Sequence, residues 1–248
     1  MSGHSKFANI KHKKAATDAK KGKVFSRLAK EIMVAAKMGG GDSDANPRLR
    51  AALAAARAVN MPNANIERAI KKGTGELGDV TFEEIIYEGY AAGGVALIIE
   101  CLTDNRNRSI SDVRSTLDRN CGNLAASGAV AWMFKRHFTV TGDAADEDKL
   151  MEITLEAGVE DIQVDDGMAE LWGPPEAFED ILKALNDAGI NPEEAEITRK
   201  PDTTVEIKDV KTAEQVLRVV DRLEELDDVQ SVTANFEIDD EIADQLEA

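Results

Sequence analysis

Residues 150–189 read LMEITLEAGVEDIQVDDGMAELWGPPEAFEDILKALNDAG and hold the clearest structural pattern in the chain. Apolar side chains recur at three-and-four spacing from Leu150 to Ala157 and again from Phe178 to Leu185, which predicts two amphipathic helices. Two short strand-like runs lie between them, at Ile162–Val164 and Ala169–Trp172. The segment therefore predicts the order helix, strand, strand, helix.

The residues on either side of this segment extend the pattern. A strand-like run at 137–141 comes before it and another at 195–198 follows it, which gives the order βαββαβ. Both helices end in Ala-Gly, so a left-handed glycine cap is expected at Gly158 and at Gly189. We therefore predict a ferredoxin-like domain over residues 131–201.

The flanking segments are incomplete by themselves. Residues 79–130 offer two strands and a helix that Ser109 and Asp112 would open as a capping box, and residues 202–238 offer strand, helix and strand. Because a sheet needs a covering layer, we join both segments into one discontinuous α/β domain, with residues 131–201 inserted in it. The acidic residues 239–248 are expected to form a frayed tail.

The first 78 residues predict a helical domain with an N-terminal arm. A helix over residues 20–37 carries an apolar stripe, and its opposite side is cationic. Asn46-Pro47 is typical of a second helix start, and a third helix ends at Gly73. The predicted fold is α+β with three domains: a three-helix domain and two ferredoxin-like α/β domains, the second inserted in the first.

Charge is divided unequally along the chain. Residues 1–72 hold 16 Lys and Arg against five Asp and Glu, whereas the other 176 residues hold 14 basic and 42 acidic side chains. The formal net charge of −17 conceals this basic block. A basic block on an acidic protein indicates contact with nucleic acid.

The candidate nucleic-acid contacts lie in the arm and on the cationic side of the first helix. They are Lys6, Phe7, Asn9, Lys11, His12, Lys13, Lys14, Lys20, Lys23, Arg27 and Lys30. A lysine-rich helix face is usually only solvated, but here the arm, the helix and the later Arg and Lys residues share one sign. Lysine neutralises phosphates without reading sequence, so this surface predicts phosphate binding.

A candidate second site lies in the run Asp104-Asn105-Arg106-Asn107-Arg108. Asn105, Arg106, Arg108 and Arg114 gather positive charge in an acidic part of the chain, where they would clamp a phosphate or a carboxylate. The alternative is that these arginines only offset neighbouring acids. Tyr87 and Tyr90 are interpreted as packing residues.

An enzyme is the rival class, and the sequence gives it little support. The pairs Asp165-Asp166, Asp227-Asp228 and Asp239-Asp240 are interpreted as turn or solvated pairs, because neither a histidine nor a spaced third carboxylate accompanies them. No catalytic residue, metal site, cofactor or small-molecule substrate is predicted. Cys101 and Cys121 are interpreted as structural thiols. No apolar run approaches the roughly 20 residues of a membrane span, so we expect a cytoplasmic protein without membrane contact.

Several motifs together closely resemble the YebC/PmpR family over nearly the whole chain. They are Gly3-His4-Ser5-Lys6, Ile10-Lys11-His12-Lys13-Lys14, Gly39-Gly40-Gly41-Asp42, Asn46-Pro47-Arg48-Leu49-Arg50, Tyr87-Glu88-Gly89-Tyr90 and Thr103-Asp104-Asn105-Arg106-Asn107-Arg108. This chain has Phe7 where the family usually has Trp, Ala91-Ala92 where Gly-Pro is usual, and Cys121-Gly122 where a Gly pair is common. The resemblance implies three domains and a non-enzymatic regulator of gene expression.

The resemblance leaves the target open. Members of the family are described as DNA-binding transcriptional regulators or as ribosome-associated translation factors, so promoter DNA and ribosomal RNA are both candidates. His4, Phe7, Asn9 and His12 would suit splayed bases, a mode more typical of folded RNA. The alternative is an adaptor whose acidic domains hold a ribosomal or other basic protein. The oligomeric state is not predicted.

Overall fold

The computed structural model describes residues 18–78, 81–143, 147–165, 168–190, 192 and 194–247. Residues 131–204 form one compact unit, and the described residues of 18–130 and 205–247 form the other. Helices and antiparallel sheets occur together, so the predicted α+β class is confirmed. The finer division into three domains stays a prediction, since the helical part and the discontinuous α/β part share one unit.

The helical part contains α1 (Asp18–Gly39), α2 (Pro47–Ala58) and α3 (Asn63–Gly73). Its core combines one apolar stripe from each helix. The buried members are Ile32, Ala35, Ala36, Leu49, Ala52, Leu53, Ala56, Met61, Ile66 and Ala69. These ten side chains hold the three helices together.

Asn46 fixes the connection between α1 and α2. Its side-chain oxygen accepts a hydrogen bond from Leu49 N at 3.1 Å, the N-cap bond expected before Pro47 at the first helical position. Its side-chain nitrogen donates to Ala35 O at 2.7 Å and to Gly40 O at 2.9 Å. One buried amide therefore starts α2 and satisfies carbonyls at the end of α1.

The backbones of α3 and α1 approach each other closely at Gly73. A β-carbon on Gly73 would lie 2.3 Å from the carbonyl oxygen of Met33 and 2.8 Å from the side chain of Ala36. Only glycine permits this approach. The close packing buries Ile66 and Ala69, so the opposite face of α3 is left exposed.

The α/β part begins with an antiparallel pair, β1 (Glu83–Tyr90) and β2 (Ala96–Thr103). Helix α4 (Arg106–Arg119) and the two-residue strand β3 (Asn123–Leu124) follow. The predicted helix start at Ser109 is wrong, because the side chain of Asn105 caps the helix by accepting from Arg108 N at 3.1 Å. Arg106 and Arg108 consequently lie in the first turn of α4.

The unit formed by residues 131–204 contains a four-stranded antiparallel sheet and two helices. Its elements are β4 (Phe134–Asp143), α5 (Glu147–Leu155), β5 (Asp161–Asp165), β6 (Met168–Gly173), α6 (Phe178–Asp187) and β7 (Glu194–Pro201). The strand order is β5-β6-β4-β7. Gly158 and Gly189 have φ values of 97° and 75°, so both left-handed caps are confirmed. The core is centred on Phe138, Leu171 and Ile181.

The last part of the chain returns to the first sheet. Its elements are β8 (Val205–Ile207), α7 (Val210–Glu224), β9 (Val229–Ala234), β10 (Phe236–Ile238) and α8 (Asp240–Glu247). Strand β9 joins the order β3-β1-β2-β9, whereas β8 and β10 pair in parallel in a separate two-stranded sheet. This split sheet differs from the ferredoxin-like arrangement predicted for the discontinuous domain.

Asn235 marks the point where the chain leaves the four-stranded sheet. Its backbone N donates to Ala96 O at 3.2 Å, and its side-chain oxygen accepts from Ala96 N at 2.6 Å. Its own carbonyl oxygen accepts from Val205 N at 2.8 Å, which begins the pairing of β8 with β10. The buried asparagine thus connects the two sheets by satisfying backbone groups of both.

The predicted frayed tail is wrong for residues 240–247. They form α8, where Ile242 and Ala243 are buried. The carbonyl oxygen of Asp239 accepts from the N–H groups of both residues at 3.0 and 2.9 Å. Burial of an apolar pair stabilises a helix whose acidic side chains alone indicated a solvated tail.

Candidate nucleic-acid interface

Most of the predicted phosphate contacts lie outside the described residues. These are the arm residues Lys6, Phe7, Asn9, Lys11, His12, Lys13 and Lys14. Lys20 belongs to α1, but its side chain is also outside the described part. Lys23, Arg27 and Lys30 are described completely, so they define what the cationic side of α1 contacts.

These three side chains all donate hydrogen bonds to residues 224–228, the turn between α7 and β9. Lys23 Nζ contacts Glu225 O at 2.6 Å, a guanidinium nitrogen of Arg27 contacts Glu224 O, and Lys30 Nζ contacts Asp227 O at 2.8 Å. The carbonyl groups at a helix C-terminus lack partners within the helix and carry partial negative charge. In this structure the cationic stripe of α1 is therefore occupied by the C-terminal end of α7.

Asp228 is the centre of this contact. Its carboxylate accepts from Lys30 Nζ at 2.8 Å, from Thr103 Oγ1 at 2.9 Å and from Arg108 Nη2 at 2.8 Å. Only 7% of its side chain is exposed, and 14% of that of Lys30. We call Lys30, Thr103, Arg108 and Asp228 the Asp228 junction, because it joins α1, β2, α4 and the start of β9.

The charges of the Asp228 junction are matched. Burial alone would raise the pKa of Asp228, but the hydrogen bonds from Lys30, Arg108 and Thr103 hold that pKa below its usual value. The hydrogen bond to Asp228 also raises the pKa of Arg108. Burial lowers the pKa of Arg27, against the opposing charge of Glu224. The carboxylate therefore stays ionised while it is buried.

A second ion-pair cluster links the helical part to the α/β part. Arg48 on α2 binds Glu31 on α1 through two bonds of 2.7 and 3.1 Å, and Arg48 Nη2 lies 2.5 Å from an oxygen of Glu84 on β1. The hydrogen bond with Glu31, more than that with Glu84, raises the pKa of Arg48. Arg48 therefore serves an internal contact.

A cleft of about 700 Å³ lies beside the Asp228 junction. Lys23, Lys30 and Arg108 line it together with five acidic residues. Those acidic residues are Asp104, Asp112, Glu225, Asp227 and Asp228. Because carboxylates outnumber cations on these walls, the cleft is not suited to a phosphate group.

The four residues of the predicted second site have different roles. Asn105 caps α4, and Arg108 is bound to Asp104 at 2.8 Å and to Asp228. Arg106 and Arg114 are exposed on α4. The structure thus uses Arg108 to offset neighbouring acids and leaves Arg106 and Arg114 open to solvent.

One conclusion from the sequence is corrected here. Asp228 is not part of a solvated pair, because it is buried and ion-paired, whereas its neighbour Asp227 is exposed. The physical reason is its position directly before Val229, the first residue of buried strand β9. An acidic residue adjoining a buried strand was the signal that could have revealed it.

Glu88 shows that the Tyr87–Tyr90 motif has a structural role. Its buried carboxylate accepts from Gly128 N at 2.6 Å and from Val130 N at 2.7 Å. These bonds hold the segment that leads into residue 131. Tyr87 is also buried, in agreement with the packing role expected for it.

The described residues were also searched for other kinds of site. Among them, no group of three or more His, Cys, Asp or Glu side chains is placed to hold a metal ion. None of the described helices is long and apolar enough to cross a membrane.

The fold and the interface define an α+β protein whose small basic helical part is fastened to a larger acidic α/β part. The family description "TACO1/YebC protein N-terminal domain" matches residues 5–76, and "TACO1/YebC second and third domain" matches residues 82–236. The chain belongs to the TACO1/YebC family.

Relatives of the chain match it along its length. A probable transcriptional regulatory protein of Syntrophobacter fumaroxidans is 54% identical over 248 residues, which cover 99% of this chain and 100% of that protein. One of the same description from Geobacter sulfurreducens is 54% identical over 247 residues, with the same shares covered. The crystal structure of a conserved hypothetical protein from Aquifex aeolicus has a TM-score of 0.84 and 48% identity, and the match covers 93% of this chain and 96% of that one.

Proposed function

We propose that the protein is a non-enzymatic, nucleic-acid-binding regulator of gene expression that binds phosphates through its basic helical part and N-terminal arm. The observation that carries this proposal is the charge division, with 16 of the 30 basic side chains in the first 72 residues. Counterion release makes such a block a phosphate-binding element even in a protein with negative net charge. The names of the relatives, probable transcriptional regulatory proteins, support the same class.

The contacts of α1 narrow the proposal. Lys23, Arg27 and Lys30 would reach a phosphate only after leaving residues 224–228, to which they donate hydrogen bonds. The arm residues 6–14 and Lys20 remain the proposed contacts from the sequence. They work together with cations of the helical part that are exposed in the structure.

Two targets fit this chemistry, duplex DNA and ribosomal RNA. The names of the relatives favour DNA, and the His, Phe and Asn residues of the arm favour splayed RNA bases. Sedimentation of cell extract through a sucrose gradient separates the two targets. Co-sedimentation with ribosomes that is lost at high salt supports RNA, whereas protein at the top of the gradient that protects a duplex from nuclease supports DNA.

The test of the proposed function is removal of residues 2–17, which deletes the arm and leaves every described residue in place. Affinity for a duplex and for a ribosomal RNA fragment is measured between 50 and 200 mM salt. If about four arm lysines contact phosphates, the slope of log K against log salt becomes shallower by about 3 to 4. Salt-independent binding by the full chain, or no binding at all, contradicts the proposed function.

A further inference from the structure

We propose that the exposed face of α3, formed by Arg68, Lys71 and Lys72, is a phosphate-backbone contact surface for nucleic acid; this rests on the proposed function and names a surface for it. We call it the α3 cationic face. The three residues are exposed on a helix whose other side is buried.

The geometry of α3 places the three cations together. Relative to Arg68, the positions of Lys71 and Lys72 are rotated by about −60° and +40°, since each helical residue turns about 100°. Ile66 and Ala69, which are buried against α1, lie outside this arc. Because Gly73 fixes α3 against α1 without space for a side chain, the face has a defined orientation on the helical part.

The internal contacts of the helical part distinguish this face from the other cations. Lys23, Arg27 and Lys30 donate to residues 224–228, and Arg48 binds Glu31 and Glu84. Within the described residues, the side chains of Arg68, Lys71 and Lys72 have no hydrogen-bond or ion-pair partner. Three neighbouring like charges repel one another, and a polyanion relieves that repulsion.

The helix dipole does not account for all three charges. Lys71 and Lys72 lie in the last turn of α3, where cations stabilise a helix, but Arg68 lies before that turn. Glu67 precedes Lys71 by four positions and is also exposed, so the face has one acidic neighbour on the same helix. The arc from Lys71 to Lys72 through Arg68 remains uniformly positive.

The proposed partner is the sugar–phosphate backbone rather than base edges. Lysine supplies a point charge without the bidentate geometry that reads a base, and only Arg68 has a guanidinium. The face therefore adds affinity and orientation without sequence preference. Duplex DNA and structured RNA share this chemistry, and both are used in the test.

The experiment reverses the face with Arg68→Glu, Lys71→Glu and Lys72→Glu in the full chain. A matched control reverses Lys183, Lys211 and Arg218, which are exposed on α6 and α7, so both variants carry the same net charge. Binding to a 20-base-pair duplex and to a ribosomal RNA hairpin is measured as a function of salt. Circular dichroism checks that both variants fold.

Three lost phosphate contacts make the slope of log K against log salt shallower by about 2 to 3 in the face variant, and the control keeps most of the wild-type slope. Equal weakening of both variants would mean that net charge alone is sensed, and an unchanged slope in the face variant would exclude this surface. Either result leaves the proposed function intact if the wild-type chain binds. Absence of binding by the wild-type chain removes the function and the surface together. If reversal impairs folding, Arg68→Gln, Lys71→Gln and Lys72→Gln give the same comparison with smaller effects.

Discussion

Lys30 Nζ lies 2.8 Å from Asp228 Oδ1, although 198 positions separate the two residues in the chain. The bond fastens the first described helix to the turn before β9, and Arg108 and Thr103 bind the same carboxylate. A side chain that the charge pattern assigned to a polyanion therefore also holds the helical part to the α/β part. Internal ion pairing and nucleic-acid binding draw on the same reservoir of basic residues in this protein.

We expect Asp228→Ala to lower the free energy of unfolding by about 3–5 kcal/mol, because it leaves the largely buried charge of Lys30 without its carboxylate partner. Urea denaturation measures the change. Asp227→Ala is the matched control, since that side chain is exposed and only its backbone carbonyl contacts Lys30. Equal losses in both variants would show that the Asp228 junction contributes no specific stability.

The pKa of Asp228 predicts an acid-sensitive contact. The folded-state pKa is below the unfolded value, about 3.9 for Asp, so the stabilisation is complete above that value. It is lost as the pH falls from there through the folded pKa, because the unfolded chain binds the proton more readily. Asp228→Asn should therefore lose less stability than wild type in this window. Parallel acid profiles for the two proteins would contradict this assignment.

Gly73→Ala and Gly22→Ala should have opposite effects on stability. A β-carbon at Gly73 would meet Met33 O at 2.3 Å, so α3 must move and stability falls by about 1–3 kcal/mol. A β-carbon at Gly22 meets nothing within 4 Å, and alanine favours helix by about 0.5–1 kcal/mol. Thermal unfolding of the two variants measures both signs. A tolerated alanine at position 73 would mean that α1 and α3 pack less closely.

The two cysteines should react at very different rates. Burial raises the pKa of the Cys101 thiol to about 11, whereas Cys121 is exposed. A thiol reagent at pH 8 should modify one thiol per native chain, and peptide mapping should place the label on Cys121. Both thiols should react in denaturant. Rapid labelling of Cys101 in the native protein would show that β2 opens readily.

Much of the architecture followed from local patterns in the sequence. Apolar spacing predicted α1, α2 and α3 as well as the order of elements in residues 131–201, because amphipathic periodicity and glycine caps act within a few residues. The cap by Asn105 was missed because Ser109 and Asp112 offered a competing cap signal three residues apart. Helix α8 was missed because only contact with the rest of the fold buries Ile242 and Ala243.

The sequence by itself determined where the positive charge is concentrated, since side-chain charge depends only on residue identity. Tertiary structure alone decided which of those charges remain open to solvent. Lys30 and Arg108 meet at Asp228 through contacts that span 198 and 120 positions, and no local pattern encodes such distances. The folded chain pairs Lys30 on α1 and leaves Arg68, Lys71 and Lys72 exposed, because α3 packs against α1 through its opposite, apolar face.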